Sequence, residues 1–338
     1  MNRRTFLAGS AVAGLSVLGG CSGPAYDVEL LNVSYDPTRE LYRRMNRLFA
    51  DHYFAQTGKR VRVRQSHGGS GSQARAVTDG IPADVVTLAM WADIDNIRSK
   101  KLIAPGWEAR LPDRSLPYHS TIVFVVRAGN PFGIREWADL LKPGVKIVTA
   151  NPKTGGGAKL ALLGAWLAVL DAGGTPEQAR EFITEMYRRV PVLDTGARGA
   201  TVTFARKNIG DVHLTWENEA WLEQRELKGA VEIVYPSVSV RAEPHVALVD
   251  ANVDRKGTRG AAEEYLKFLY TPGAQELIAE TFFRPGNAGA AERHASRFPP
   301  LKLLRATDPS MGLGDWNRIQ TDFFSEGGVF DRIYTSGR

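Results

Sequence analysis

Strand and helix signals alternate along most of this chain, and their order restricts the fold strongly. Apolar, strand-like runs such as Val28–Val33 and Ile122–Val126 are separated by segments with helical spacing, including Pro37–Gln56 and Ala158–Leu170. A β-α-β-α order favours parallel sheets covered by helices, and the continuous run Ile122–Val126 suits a strand buried on both faces. A chain of 338 residues favours two domains over one. We therefore predict an α/β protein with two domains.

The first residues are typical of an export signal. Residues 1–7 (MNRRTFL) resemble a twin-arginine signal, and the small, apolar run that follows ends in Leu18-Gly19-Gly20-Cys21, which resembles a bacterial lipobox. We expect residues 1–21 to be an export signal with lipobox and residues 22–26 to be a linker. Acyl chains on Cys21 would hold the protein at a membrane surface outside the cytoplasm.

The composition argues against several classes of function. Cys21 is the only cysteine, so an internal disulfide or a cysteine metal site cannot form. The 6 histidines show no ligand spacing. The formal net charge is +6, but Arg3 and Arg4 belong to the leader and the other basic residues are scattered among acidic ones, which indicates a solvated surface. We expect no metal, no cofactor and no nucleic-acid partner.

Four turns before predicted helices are the most informative local feature. They are Tyr35–Glu40, His67–Gln73, Asn151–Gly157 and Asp194–Thr201. Asp36 is predicted as an N-cap before Pro37, and Ser70 as an N-cap that forms a capping box with Gln73. The first N–H groups of a helix lack internal partners and lie at the positive end of its dipole, and glycine lets a ligand approach the backbone closely. Several such helix ends meeting at one point would bind a small anion without Lys or Arg.

Enzymatic interpretations fit these turns less well. Residues 68–72 approach the nucleophile elbow G-x-S-x-G, but Ser72 replaces its last glycine. Neither glycine-rich turn continues as Gly-Lys-Ser/Thr, which excludes a P-loop. A secreted serine hydrolase that uses Ser70 is a remote alternative, and it would need a histidine within hydrogen-bond reach of the Ser70 hydroxyl. We expect the protein not to be an enzyme.

Six longer motifs follow one another along the chain. They are NVSYDPTRE at 32–40, SHGGSGSQA at 66–74, ADVVTLA at 83–89, NPKT at 151–154, LDTGARGAT at 193–201 and WENEA at 216–220. Together they resemble bacterial periplasmic sulfate- and thiosulfate-binding proteins, which serve ABC importers. The resemblance implies a two-lobed periplasmic binding protein fold of type II, with parallel-dominated sheets, flanking helices and a cleft between the lobes. By this analogy residues 27–119 and 238–338 form lobe 1, and residues 120–237 form lobe 2.

The resemblance also implies which residues hold the anion. Ser70 would supply its backbone N–H and its hydroxyl from lobe 1. Gly156, Gly157 and Ala197 would supply backbone N–H groups from lobe 2, and Trp216 its indole N–H. The alternative for Trp216 is a core-packing role.

Two further positions of the family pattern are Asp36 and Gly155. Asp36 matches a family residue at the cleft, and we expect it to organise a helix start with its side chain facing away from the anion. Gly155 stands where the family usually has a serine, whose hydroxyl would donate to the ligand. Water or Thr154 would substitute for that donor, or the affinity or anion preference would differ.

A cleft lined only by donors favours sulfate among the oxyanions. Sulfate is fully deprotonated at neutral pH, whereas phosphate usually keeps a proton that needs an acceptor. Thiosulfate, molybdate and phosphate are the alternative ligands. The resemblance further implies a membrane permease as the partner and a location in the periplasm, and we expect a monomer.

Overall fold

The structure, a computed structural model, describes residues 26–336 of the chain. Cys21, the rest of the predicted export signal and linker residues 22–25 lie outside the described residues, so their processing and lipidation stay predictions. No helix within residues 26–336 has the length and apolar character needed to cross a membrane.

The strands of the described chain form two sheets. Their bounds are β1 (Val28–Tyr35), β2 (Val61–Gly68), β3 (Val85–Leu88), β4 (Tyr118–Arg127), β5 (Ile147–Ala150), β6 (Leu193–Asp194), β7 (Val212–Trp216), β8 (Val231–Val234), β9 (Val238–Ala242), β10 (His245–Leu248), β11 (Arg284–Pro285) and β12 (Lys302–Leu304). The first sheet has the order β10-β3-β1-β2. The second follows β12-β9-β4-β7-β5-β6, and β8 and β11 also pair with β4.

Helices cover both sheets, so the structure confirms the predicted α/β class. Their bounds are α1 (Arg39–Thr57), α2 (Ser70–Thr78), α3 (Trp91–Ser99), α4 (Gly156–Asp171), α5 (Pro176–Arg188), α6 (Ala197–Thr201), α7 (Glu217–Leu227), α8 (Asp250–Lys256), α9 (Arg259–Phe268), α10 (Pro272–Glu280), α11 (Ala288–Arg293), α12 (Trp316–Ile319) and α13 (Val329–Ser336). Local sequence sets several of these starts. In α5, for example, Thr175 and Gln178 form a capping box ahead of Pro176 at the first helical position.

The first sheet is built around β1. This strand runs parallel to both β2 and β3, while β10 closes the edge of the sheet antiparallel to β3. Leu30 and Val33 of β1 are fully buried, and they belong to two different apolar clusters. Because β1 and β2 are parallel, their carboxyl ends lie at the same edge of the sheet, and the chain leaves that edge at Tyr35 and Gly68.

The long strand β4 connects the two sheets. Its first residues pair with β11, Ser120 and Thr121 pair antiparallel with Ala242 and Arg241 of β9, and its later residues pair with β7 and β8. The chain therefore leaves the first sheet along β4 and returns to it through β9 and β10. The division into lobes at residues 119/120 and 237/238 stays a prediction.

The C-terminal segment, which we predict to be part of lobe 1, packs on helices α4 and α5. Phe323 packs edge-on against Trp166 of α4 with ring centroids 4.8 Å apart, and Phe330 packs against Tyr187 of α5 at 5.3 Å. The Lys153 ammonium donates hydrogen bonds to the carbonyl oxygens of Phe324 and Ser325, both at 3.0 Å. The segment thus covers helices that belong to the second sheet, because its aromatic face finds an apolar surface there.

We expect Phe323→Ala to lower the free energy of unfolding by about 3–5 kcal/mol, because it empties a buried site. Phe54→Ala is the matched control, since Phe54 is 53% exposed, and we expect a change within about 0.5 kcal/mol for it. Urea unfolding followed by circular dichroism measures both. Equal losses for the two variants would contradict the packing of the C-terminal segment on α4.

Candidate functional site

One small cavity brings together all the residues that the sequence predicts at the ligand. Its lining includes Asp36, Ser70, Gly155, Gly156, Gly157, Ala197 and Trp216. The space that the centre of a water molecule could occupy is about 20 Å³, and a single water needs about 10–15 Å³ on that measure. The cavity therefore suits a guest of only a few heavy atoms.

The predicted residues stand where strands end and helices begin. Asp36 follows β1, Ser70 begins α2, Gly156 begins α4, Ala197 begins α6, and Trp216 ends β7. Strands β1 and β2 come from the first sheet, and strands β5, β6 and β7 from the second. Ligands of α/β proteins commonly bind outside the carboxyl ends of strands, where helix N-termini present their unpaired N–H groups. Here those ends converge from two sheets.

Close backbone approach explains the glycines in these turns. A Cβ atom on Gly69 would lie 2.4 Å from the carbonyl oxygen of Thr154, and one on Gly156 would lie 2.6 Å from the Ala89 Cβ. Both distances are shorter than real contacts of a Cβ atom. Gly69 and Ala89 follow strands of the first sheet, while Thr154 and Gly156 follow β5 of the second. The turns of the two sheets are therefore in direct contact around the cavity.

The fourth turn joins the same cluster. A Cβ atom on Gly196 would lie 2.8 Å from the Asp36 carboxylate oxygen Oδ2, and one on Gly155 would lie 3.8 Å from the Gly196 Cα. Ala197, the first residue of α6, therefore lies beside the start of α4. All four predicted turns meet around one point.

Trp216 presents its indole edge to the start of α4. A Cβ atom on Gly157 would lie 2.2 Å from the indole Nε1, so only glycine fits beside this ring. The side chain is 1% exposed, and its ring lies 5.1 Å from the ring of Tyr35. Its N–H makes no hydrogen bond to any residue between 26 and 336. The indole therefore has a free donor at the cavity.

The ionisable side chains Asp36 and His213 of the lining both have partners. Among its described lining residues there is no Lys or Arg. The Arg39 guanidinium donates to the Asp36 carboxylate at 2.6 Å, and His213 pairs with Glu223 at 2.9 Å. Burial, followed by the Arg39 guanidinium, lowers the pKa of nearby His67 to about 4, so that ring is neutral at pH 7. The cavity thus offers neutral donors rather than a cation.

Both predicted N-caps are wrong. Tyr35 occupies the N-cap position of the short 3-10 turn Asp36–Thr38, because β1 continues through Tyr35 in pairing with Gly68. Gly69 is the N-cap of α2, and Ser70 is its first helical residue. The predicted capping box does not form either, since the Gln73 side-chain amide donates to the Ser66 hydroxyl instead.

The Ser70 hydroxyl has partners of its own in this structure. It donates to the Asp93 carboxylate and accepts the backbone N–H of Ala89 at 3.0 Å. Its donation to an anion stays a prediction, and it would require the hydroxyl to leave Asp93. These partners include no histidine, so the constellation of a serine hydrolase is missing around Ser70 in the described residues.

Two threonines of the lining belong to none of the predicted turns. Thr149 of β5 and Thr215 of β7 are buried, and their hydroxyls have no hydrogen-bond partner among the residues that the structure describes. A buried hydroxyl without a partner is costly, so these groups are available to a guest. Their position next to the strand ends at Ala150 and Trp216 is the signal that could have identified them.

Residues 26–336 contain no group of three or more His, Cys, Asp or Glu side chains placed to hold a metal ion.

Comparison with known proteins identifies the family to which this chain belongs. The model of the family described as bacterial extracellular solute-binding protein matches residues 32–284. The sulfate-binding protein of Escherichia coli K12 is 49% identical over 94% of this chain and 96% of its own length. The thiosulfate-binding protein of Pseudomonas aeruginosa is 44% identical over 98% of this chain and 99% of its own.

Solved structures show the same relationship. The sulfate-binding protein of Mycobacterium tuberculosis H37Rv superimposes with a TM-score of 0.79 at 31% identity, covering 88% of this chain and all of that one. The periplasmic molybdate-binding protein of Azotobacter vinelandii shares the fold alone, with a TM-score of 0.53 at 16% identity, over 75% of this chain and 98% of that one. The chain therefore belongs to the family of bacterial extracellular solute-binding proteins, among its sulfate- and thiosulfate-binding members.

Proposed function

We propose that this protein is the extracytoplasmic solute-binding component of a sulfate ABC importer. It binds sulfate in the small cavity and delivers it to a membrane permease. The observation that carries this proposal is the convergence of helix starts from two sheets on one small cavity whose described lining contains no Lys or Arg. The names of the relatives from Escherichia coli and Mycobacterium tuberculosis support sulfate as the ligand.

In this proposal the backbone supplies most of the donors. Ser70, Gly156, Gly157 and Ala197 donate their first-turn N–H groups, and Trp216 donates its indole N–H. The oriented peptide dipoles stabilise the dianion in place of a salt bridge. Asp36 faces away from the anion and organises the turn after β1 through its ion pair with Arg39.

Gly155 has no side-chain hydroxyl, but other hydroxyl groups lie nearby. The free hydroxyls of Thr149 and Thr215 line the same cavity, and we propose that they take the place of the family serine. The Thr154 hydroxyl is a poorer candidate, because it already donates to the Thr195 carbonyl oxygen at 2.7 Å.

Thiosulfate is the second candidate ligand, because a relative with 44% identity is named for it. Phosphate fits less well. Its remaining proton would need an acceptor in a cavity of donors, and an unpaired donor in a dry site costs about 1–3 kcal/mol. Molybdate has the charge of sulfate but longer bonds, and the small cavity disfavours it.

We further propose that the two sheets belong to two lobes that close on the anion, with β4 and β9 as the connecting strands. The contacts between Gly69 and Thr154 and between Gly156 and Ala89 suit a closed arrangement. The protein is a monomeric receptor without catalytic activity, exported by a twin-arginine-like signal and held at the periplasmic face of a membrane by lipid on Cys21.

Isothermal titration with sulfate tests the ligand directly. We expect one saturable site per chain and a raised melting temperature, because the ligand binds only the folded state. Thiosulfate should compete, whereas phosphate should bind more weakly. Absence of both heat and thermal shift with sulfate would refute the proposal.

We expect Trp216→Phe to weaken sulfate binding by about 1–3 kcal/mol, because it removes a donor and keeps an aromatic ring. The control is Trp221→Phe. The Trp221 indole N–H donates to the Tyr235 hydroxyl at 3.1 Å, and neither residue lines the cavity. That variant should keep the affinity of the wild type. Titration of both variants measures the effect, and an unchanged Trp216→Phe affinity would count against the indole as a ligand.

We expect Gly157→Ala to abolish measurable sulfate binding, because the new Cβ would lie 2.2 Å from the Trp216 Nε1 and push the indole away. Gly260→Ala is the matched control, since nothing lies within 4 Å of its Cβ position; helix propensity predicts a gain of about 1 kcal/mol in stability there. Titration and urea unfolding separate lost binding from lost folding. Full affinity in Gly157→Ala would place the anion elsewhere.

A further inference from the structure

A second and much larger cavity lies beside the strands that connect the two sheets. Its volume is about 1190 Å³, and it shares no lining residue with the small cavity. Its walls include the starts of α3 and β4, the end of β9, and parts of the segment 305–318. Ligand sites in proteins usually measure about 300–1,000 Å³. This cavity therefore has room for a molecule far larger than a tetrahedral oxyanion.

Two arginines of this cavity share one carboxylate. The Nε atoms of Arg241 and Arg305 both lie 2.9 Å from the same oxygen of Glu243. One carboxylate neutralises only one of the two guanidinium groups, so the trio keeps a positive charge. The terminal nitrogens of both arginines make no hydrogen bond within residues 26–336. A guanidinium group can bind a carboxylate or sulfonate through two parallel hydrogen bonds.

The other charges of the lining do not cancel this one. Arg114 and Arg318 are exposed and pair with Glu108 and Asp322, which lie outside the lining. Asp315 accepts the backbone N–H of Arg318 at 2.8 Å as a helix cap. Asp113 is exposed. The positive charge of Arg241 and Arg305 is therefore a local feature of the wall beside β9.

His119 lies close to the same positive charges. It lines the cavity next to Arg241. Burial, followed by the guanidinium groups of Arg241, Arg284 and Arg305, lowers its pKa to about 3. The ring is therefore neutral at physiological pH, and it makes no hydrogen bond within the described chain. It offers a guest one donor and one acceptor.

Aromatic surface accompanies these polar groups. Trp91 at the start of α3 and Trp316 at the start of α12 both line the cavity, and each is partly buried. Flat indole faces favour contact with a ring or another apolar body. A guest that satisfies the whole lining thus carries an acid group and an aromatic part.

We propose that this cavity binds an organic anion with a carboxylate or sulfonate group on an aromatic body. Arg241 and Arg305 hold the acid group, and Trp91 and Trp316 contact the ring. The site lies beside the connecting strands, since Arg241 is paired in register with Thr121 of β4. It is independent of the sulfate proposal, because its residues do not touch the small cavity.

Isothermal titration of the full chain with naphthalene-1-sulfonate tests the proposal, with saturating sulfate present to occupy the small cavity. We expect one saturable site. Arg241→Gln with Arg305→Gln should weaken this binding at least about tenfold, because two charge-assisted contacts are lost. Their matched control is Arg43→Gln with Arg188→Gln, two exposed arginines paired with Glu40 and Glu185 on the surface. That control has the same change in net charge and should bind as the wild type does.

Glu243→Gln provides a second, opposite expectation. It removes the carboxylate that competes for the two guanidinium groups, so naphthalene-1-sulfonate should bind about threefold or more tightly, whereas a merely structural role for the trio predicts weaker binding. The neutral analogue 1-naphthalenemethanol should bind more weakly than the sulfonate. No saturable heat, equal binding of the neutral analogue, or sulfonate binding that ignores the arginine substitutions would overturn the proposal.

Discussion

Unpaired peptide N–H groups at helix starts are the constraint on which this structure depends. A helix leaves its first N–H groups without internal partners, and leaving such a group unsatisfied away from water costs about 1–3 kcal/mol. The helices that start at Ser70, Gly156 and Ala197 bring such groups to one enclosed point. A small guest that only accepts hydrogen bonds relieves this cost at several groups together. The small size of the cavity and the absence of Lys and Arg from its described lining fit such a guest, and the proposed preference for a deprotonated anion rests on the same feature.

Ionisable side chains near the cavity are held by partners of their own. Asp36 is paired with Arg39 and His213 with Glu223. The buried Lys159 ammonium lies 3.6 Å from the Asp93 carboxylate and 2.9 Å from the side-chain oxygen Oε1 of Gln320. Each of these ionisable groups has a partner. The donors at the centre then act on the guest without a competing ion, and glycines let the backbone come close enough to do so.

Much of this could be predicted from the sequence, because the governing signals are local. The apolar run predicts a strand over Ile122–Val126, but β4 extends over Tyr118–Arg127, since Ser120 and Thr121 gain partners on the distant β9. The turns that bear glycine indicate residues that line the small cavity. Local patterns do not show the role of the Ser70 hydroxyl, because its acceptor, Asp93, lies on another helix. The free hydroxyls of Thr149 and Thr215 were missed for a related reason: burial depends on tertiary packing.

The attachment of the C-terminal segment has a consequence for how the protein is made. Lys153 lies in the turn that leads to Gly155, and it holds the carbonyl oxygens of Phe324 and Ser325 and the carboxylate of Asp331. These partners are about half the chain away, so the turn gains this support only after residues 324–331 have been synthesised. A nascent polypeptide that is shorter than this would carry the same glycines in a turn without these contacts.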